Sequence, residues 1–86
     1  MKYKVFITKK ASKEILALPR IAAAKVYGSI LKLETEPRPV GSKKLQGTDE
    51  VLWRIRVGDY RIIYCVEDTI KVVEVRSIGN RKDIYK

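Results

Sequence analysis

The 86-residue chain is long enough for one small domain around a single hydrophobic core, and a hydrophobic fraction of 45% argues against disorder. Its 19 Lys+Arg against 10 Asp+Glu leave a net charge of +9, which favours a polyanionic partner, nucleic acid first and an acidic protein second. There is no histidine and one cysteine, Cys65, so neither a zinc site nor an intramolecular disulfide is expected, and no cofactor is implied.

The first segment, "KYKVFIT", alternates Tyr3, Val5 and Ile7 against Lys2, Lys4 and Phe6, a period of two that predicts a strand. Thr8 or Ser12 then caps a short helix with Ala11, Ile15 and Leu18 on one side. Pro19 ends it and can occupy the first turn of the next helix, "RIAAAKVYGSILKLETE", whose apolar stripe is Ala23, Tyr27, Ile30 and Leu31. "PRPVG" breaks that pattern, and "SKKLQGTDE" reads as a loop carrying Lys43 and Lys44.

From residue 51 the pattern belongs to strands. Leu52–Val57 and Tyr60–Glu67 flank Gly58-Asp59, a two-residue turn that suits a type II′ hairpin, and "EDT" separates them from a Val/Ile-rich strand over Ile70–Ile78. The order β-α-α-β-β-β predicts an α+β fold: two antiparallel helices on one face of a mainly antiparallel four-stranded sheet, in a single domain over residues 1–86. No run approaches the ~20 apolar residues of a membrane span, and charge interrupts the N-terminus too early for a signal peptide. A cytoplasmic location is expected, since a lone cysteine fits a reducing compartment.

The hairpin turn fixes a register in which Val57 faces Tyr60, Arg56 faces Arg61 and Ile55 faces Ile62. One face then gathers Trp53, Ile55, Val57, Tyr60, Ile62 and Tyr64 for the core. The other gathers Arg54, Arg56 and Arg61, with Ile63 and Cys65 further along. Like charges directly opposite one another destabilise a sheet by ~0.2–1 kcal/mol. A face that only needed solubility would mix Lys, Glu and Thr. Three arginines, each a planar fork able to grip phosphate through two hydrogen bonds, point instead to a phosphate site. Cys65 reads as small core filler, because no histidine is present to activate it, and Glu14, Glu34 and Glu36 read as helix surface.

The segments "KKLQG", "LWRIRVGDYRIIY" and "VVEVRSIGNRKDIY" resemble the RelE/ParE superfamily of toxins from type II toxin–antitoxin systems, along the whole chain. The resemblance to its RelE-like branch implies a microbial-ribonuclease fold and cleavage of mRNA in the ribosomal A site. It places Arg54 and Arg56 where that branch has strand lysines at the scissile phosphate, Arg61 on its strand arginine, and Arg81 on the arginine after the last strand. Tyr85 corresponds to the tyrosine near the C-terminus, at a shorter spacing. Lys43, Lys44, Lys82 and Lys86 become candidates for RNA contact. The implied partner is an acidic, RelB-like antitoxin. Arginines where the branch has lysines stabilise charge but do not act as bases, so a base would have to come from Lys82, Lys86 or Tyr85. Two rival functions remain open: a ParE-like toxin that poisons DNA gyrase without cutting RNA, and a non-enzymatic RNA- or DNA-binding module.

Overall fold

The computed structural model describes residues 2–45 and 50–80. Its elements run β1 (Lys4–Ile7), α1 (Lys9–Leu16), α2 (Arg20–Lys32), β2 (Lys43–Lys44), β3 (Trp53–Val57), β4 (Tyr60–Glu67) and β5 (Val72–Asn80). The strands form one sheet in the order β1-β5-β4-β3-β2, in which β1 runs parallel to β5 and every other pairing is antiparallel. The expected α+β architecture is present with one strand more than four. Lys43 and Lys44, read from sequence as loop, pair with Arg54 and Trp53 as β2. A two-residue strand offers no periodicity, so alternation could not reveal it.

Helix α1 starts at Thr8, whose Oγ1 accepts a hydrogen bond from the Ala11 N–H at 3.1 Å. Pro19 occupies the N-cap of α2, where its missing N–H costs nothing. The second helix stops at Lys32, four residues short of the expected Glu36, and its buried stripe is Val26 and Ile30, continued by Leu33. Tyr27 and Leu31, assigned to that stripe from the sequence, are 49% and 45% exposed. The helix carries apolar residues around much of its circumference, so several stripes compete and the sheet selects one.

Ala11, Val26, Ile30 and Leu33 from the helical layer meet Ile55, Ile62, Tyr64, Val73, Val75 and Ile78 from the sheet to make the core. The β3–β4 register matches the expectation, with Arg56 opposite Arg61. Gly58 has φ 59° and Asp59 does not share the left-handed region, as a type II′ turn requires. The next turn differs from expectation. Glu67 pairs with Val72, so Ile70 lies in the turn rather than in β5, and Lys71 takes φ 56° there. Within β4–β5, Ile63 faces Ser77 but Tyr64 faces Val75, which leaves Arg76 as the extra residue of a bulge. That extra residue restores the inward phase, so Val73, Val75 and Ile78 all reach the core.

Candidate functional site

Pairing across the sheet puts Lys43, Arg54 and Ile63 in one row and Arg56, Arg61 and Gly79 in the next, on the face opposite the helices. Arg54 and Arg56 are two residues apart, ~6.6 Å along the strand. The three arginines differ in setting. Arg54 and Arg61 are each only 6% exposed, whereas Arg56 is exposed. The arginine face expected from alternation is therefore two sunken guanidinium groups, Arg54 and Arg61, and one exposed, Arg56. Gly79, the β5 residue paired with Arg61, has no side chain. Arg54 Nε is buried with no hydrogen-bond partner among the described residues. A polar group left so costs free energy until a ligand or water meets it.

Lys43 and Lys44 are both exposed, but they stand on opposite faces. Lys43 lies across from Arg54 and extends the cationic row, while Lys44 lies across from Trp53. Arg81, Lys82, Tyr85 and Lys86, the remaining expected site residues, lie outside the described residues.

Beside this row is a cleft of about 450 Å³, bounded by Ser29 and Lys32 at the end of α2, the 39–41 loop, and Arg54, Ile55 and Arg56 of β3. The loop wall is fixed from several directions. Tyr64 is fully buried and its hydroxyl donates to the Pro37 carbonyl at 2.7 Å. Burial pushes the Tyr64 phenol up to about 12. Arg38 grips Asp68 through two hydrogen bonds of 3.2 and 2.7 Å and lies 5.3 Å from the centre of the Trp53 ring. Tyr3 donates a further hydrogen bond to Asp68 at 2.6 Å. Arg38 and then Tyr3 hold the Asp68 carboxyl down at about 2, and the same ion pair raises the Arg38 guanidinium.

Further along this side of the sheet, the bulge residue Arg76 is neutralised. Its Nη1 and Nη2 both reach Glu50 at 2.8 Å, and its Nε meets Glu74. The fork on Glu50 lowers that carboxyl and raises Arg76. Cys65, expected to be buried, is half-exposed, and its Sγ accepts from Arg76 Nη2 at 3.6 Å. Among the described residues the ion pairs thus serve Arg76 and Arg38, and none is made with Lys43, Arg54 or Arg56. Trp53 is half-buried and packed against the core, as its apolar neighbours implied.

Sequence reasoning missed Ser29, Lys32 and the 39–41 loop as a wall. The available signal was "PRPVG", which stops the helix and turns the chain back over the hairpin. It also missed Glu14, whose carboxylate accepts the Ile78 N–H at 3.0 Å and so ties α1 to β5.

Comparison with known proteins agrees with this geometry. Residues 5–85 match the family described as the ParE toxin of type II toxin–antitoxin system, parDE. The chain is 36% identical over 85 residues to the toxin RelE of Mycobacterium tuberculosis, covering 98% of this chain and 87% of the relative. It is 34% identical over 90 residues to the toxin RelG of the same organism, covering 100% and 99%. Among solved structures, the archaeal RelE–RelB complex from Pyrococcus horikoshii aligns with a TM-score of 0.83 at 34% identity, covering 96% of this chain and 99% of that one. The strand-borne arginines, the helix pair and the full-length match together place the chain in the RelE/ParE superfamily of type II toxin–antitoxin toxins, in its RelE-like branch.

Proposed function

We propose that the protein is a ribosome-dependent endoribonuclease that cuts mRNA and is neutralised by an acidic, RelB-like antitoxin. The observation that carries this is the convergence of Arg54, Arg56 and Arg61 on the face opposite α1 and α2, two of them buried and one exposed. RNA supplies its own nucleophile. The 2′-oxygen bonds to the adjacent phosphorus, the bond to the 5′-oxygen breaks, and a 2′,3′-cyclic phosphate and a 5′-OH result. One proton leaves the 2′-OH and one reaches the departing oxygen, so no water is consumed. The protein's task is to hold the strand in line and stabilise the additional negative charge of the pentacoordinate state. Fixed guanidinium groups at low exposure suit that task, because their charge is already oriented and needs little rearrangement.

In this reading Arg54, Arg56 and Arg61 bind the scissile phosphate, Arg81 stabilises the departing oxygen, and Tyr85 stacks on a base. Lys43, Lys82 and Lys86 contact the RNA backbone, whereas Lys44 faces the other side of the sheet and takes no part; the proton acceptor comes from Lys82, Lys86 or Tyr85. The partner in the Pyrococcus horikoshii complex is RelB, which supports an antitoxin partner here.

Primer extension on mRNA in a reconstituted translation reaction, followed by end-labelling with a kinase that needs a free 5′-OH, tests the proposal. Cuts within the A-site codon whose downstream fragments accept label are the expected result. A downstream 5′-phosphate would eliminate attack by the 2′-OH. The ParE description of the matching family favours a second reading, inhibition of DNA gyrase. Intact mRNA together with blocked supercoiling would establish that reading instead.

A further inference from the structure

Strand β2 pairs only with Trp53 and Arg54, so among the described residues no strand covers the outer edge of Ile55–Val57. The chain turns away from that edge at Gly41, whose φ of 95° is a conformation side chains rarely allow. The last turn of α2 closes the other side. The resulting volume of about 450 Å³ lies within the ~300–1,000 Å³ common for small-ligand sites.

Four cations, Lys32, Lys43, Arg54 and Arg56, share this cleft with an apolar wall that includes Pro39 and Val40. Arg54 adds an independent pointer to a ligand. It lines the cleft, is 6% exposed, and leaves its Nε without a hydrogen bond among the described residues. Glu36 is the one acid among the lining residues, so the anionic part of a ligand belongs at the arginine side.

We propose that the cleft is a subsite for one nucleotide of the RNA, its phosphate held by Arg54, Arg56 and Lys43 and its base laid against Pro39 and Val40. Lys32, contributed by α2 rather than by the sheet, supplies a further phosphate contact. The subsite rests on the RNA-cleaving reading of the arginine face and adds to it a binding wall from α2 and the 39–41 loop. A flat base on an apolar wall and a phosphate on guanidinium forks use both halves of the cleft. An acidic peptide added along the bare edge of β3 would satisfy the charge and leave the concave wall without a role.

The test is to titrate the full-length ¹⁵N-labelled protein with cytidine and adenosine 3′-monophosphates and with inorganic phosphate. The nucleotides should shift the amides of Ser29, Gly41 and Ile55 and saturate at least tenfold below phosphate. Binding of a non-cleavable 2′-O-methyl hexanucleotide should weaken threefold or more in Lys32→Ala and recover in Lys32→Arg. The salt slope of Lys32→Ala should fall by ~0.7, the share of one phosphate contact on a single strand. Equal affinity for phosphate and nucleotide, or unchanged hexanucleotide affinity in Lys32→Ala, would each overturn the subsite. Cleavage of mRNA by a protein whose Ser29 and Gly41 amides ignore nucleotides would remove the subsite and leave the ribonuclease standing. The opposite pattern, nucleotide in the cleft but mRNA intact, would keep the cleft and remove the ribonuclease.

Discussion

A guanidinium keeps its charge at any accessible pH, so the burial of Arg54 and Arg61 cannot be relieved by proton loss as it could be for lysine. Their neighbour Arg56 is exposed and stands directly opposite Arg61, which makes it the arginine whose removal disturbs packing least. Arg56→Thr should leave stability unchanged or raise it by ~0.2–1 kcal/mol, because a like-charge pair across the strands disappears. The same variant should lose most mRNA cleavage. Urea denaturation beside primer extension checks both, and a clear loss of stability would mean that Arg56 holds the sheet together. Arg54→Lys asks a different question at a buried position. Burial and the nearby Arg56 charge would depress the new lysine's pKa and make it a competent base. Its cleavage rate should climb with pH through neutrality and exceed wild type in alkaline buffer, whereas a profile parallel to wild type would show that position 54 needs only fixed charge.

Between elements, the fold depends on contacts that join segments distant in sequence. Beyond Ile7 the strand β1 has ended, so the Ile78 N–H on the outer side of β5 finds its acceptor in Glu14 of α1. Glu14→Ala should cost ~1.5–3 kcal/mol, the range for a hydrogen bond to a charged group. Amide exchange at Ile78 should accelerate more than at Ile62, across the ladder from it. The Arg38–Asp68–Tyr3 contact fastens the loop wall to the β4–β5 turn and to the residue before β1. Asp68 titrates at about 2 in the folded protein against ~3.9 when unfolded, so its contribution is complete above the unfolded value. That contribution is lost as pH falls from about 4 towards 2, and Asp68→Asn should flatten this part of the stability profile. These contacts mark what was legible in the sequence. The hairpin register was, because Gly58-Asp59 admits few turns and fixes Arg56 against Arg61. The arginine face followed from that register. Depth did not follow, since alternation assigns a face and says nothing of how far Arg54 and Arg61 sink. The bulge at Arg76 and the brief β2 were hidden because each interrupts or falls short of a repeat.

Across the whole molecule, a charge of +9 on 86 residues sets self-repulsion against the hydrophobic core. Among the described residues, the acidic side chains that form ion pairs are committed to Arg38 and Arg76 rather than to Lys43, Arg54 or Arg56. Raising salt from 0.1 to 1 M shortens the screening length from ~10 to ~3 Å and should raise the melting temperature of the free protein. The proposed acidic antitoxin would supply counter-charge directly and would bind the folded toxin in preference to the unfolded chain. At a free concentration 100 times its Kd it would add ~2.7 kcal/mol of stability. For a domain of this size each kcal/mol moves the melting temperature by ~4–8 °C, so the complex should melt roughly 10–20 °C above the toxin alone. Part of that increment comes from relieving repulsion, so it should shrink as salt screens the free toxin. Differential scanning calorimetry of toxin and complex at the two salt concentrations measures both quantities. An increment that stays constant with salt would assign antitoxin binding to the exposed apolar side chains, Leu16 and Ile21 among them, rather than to the cationic row.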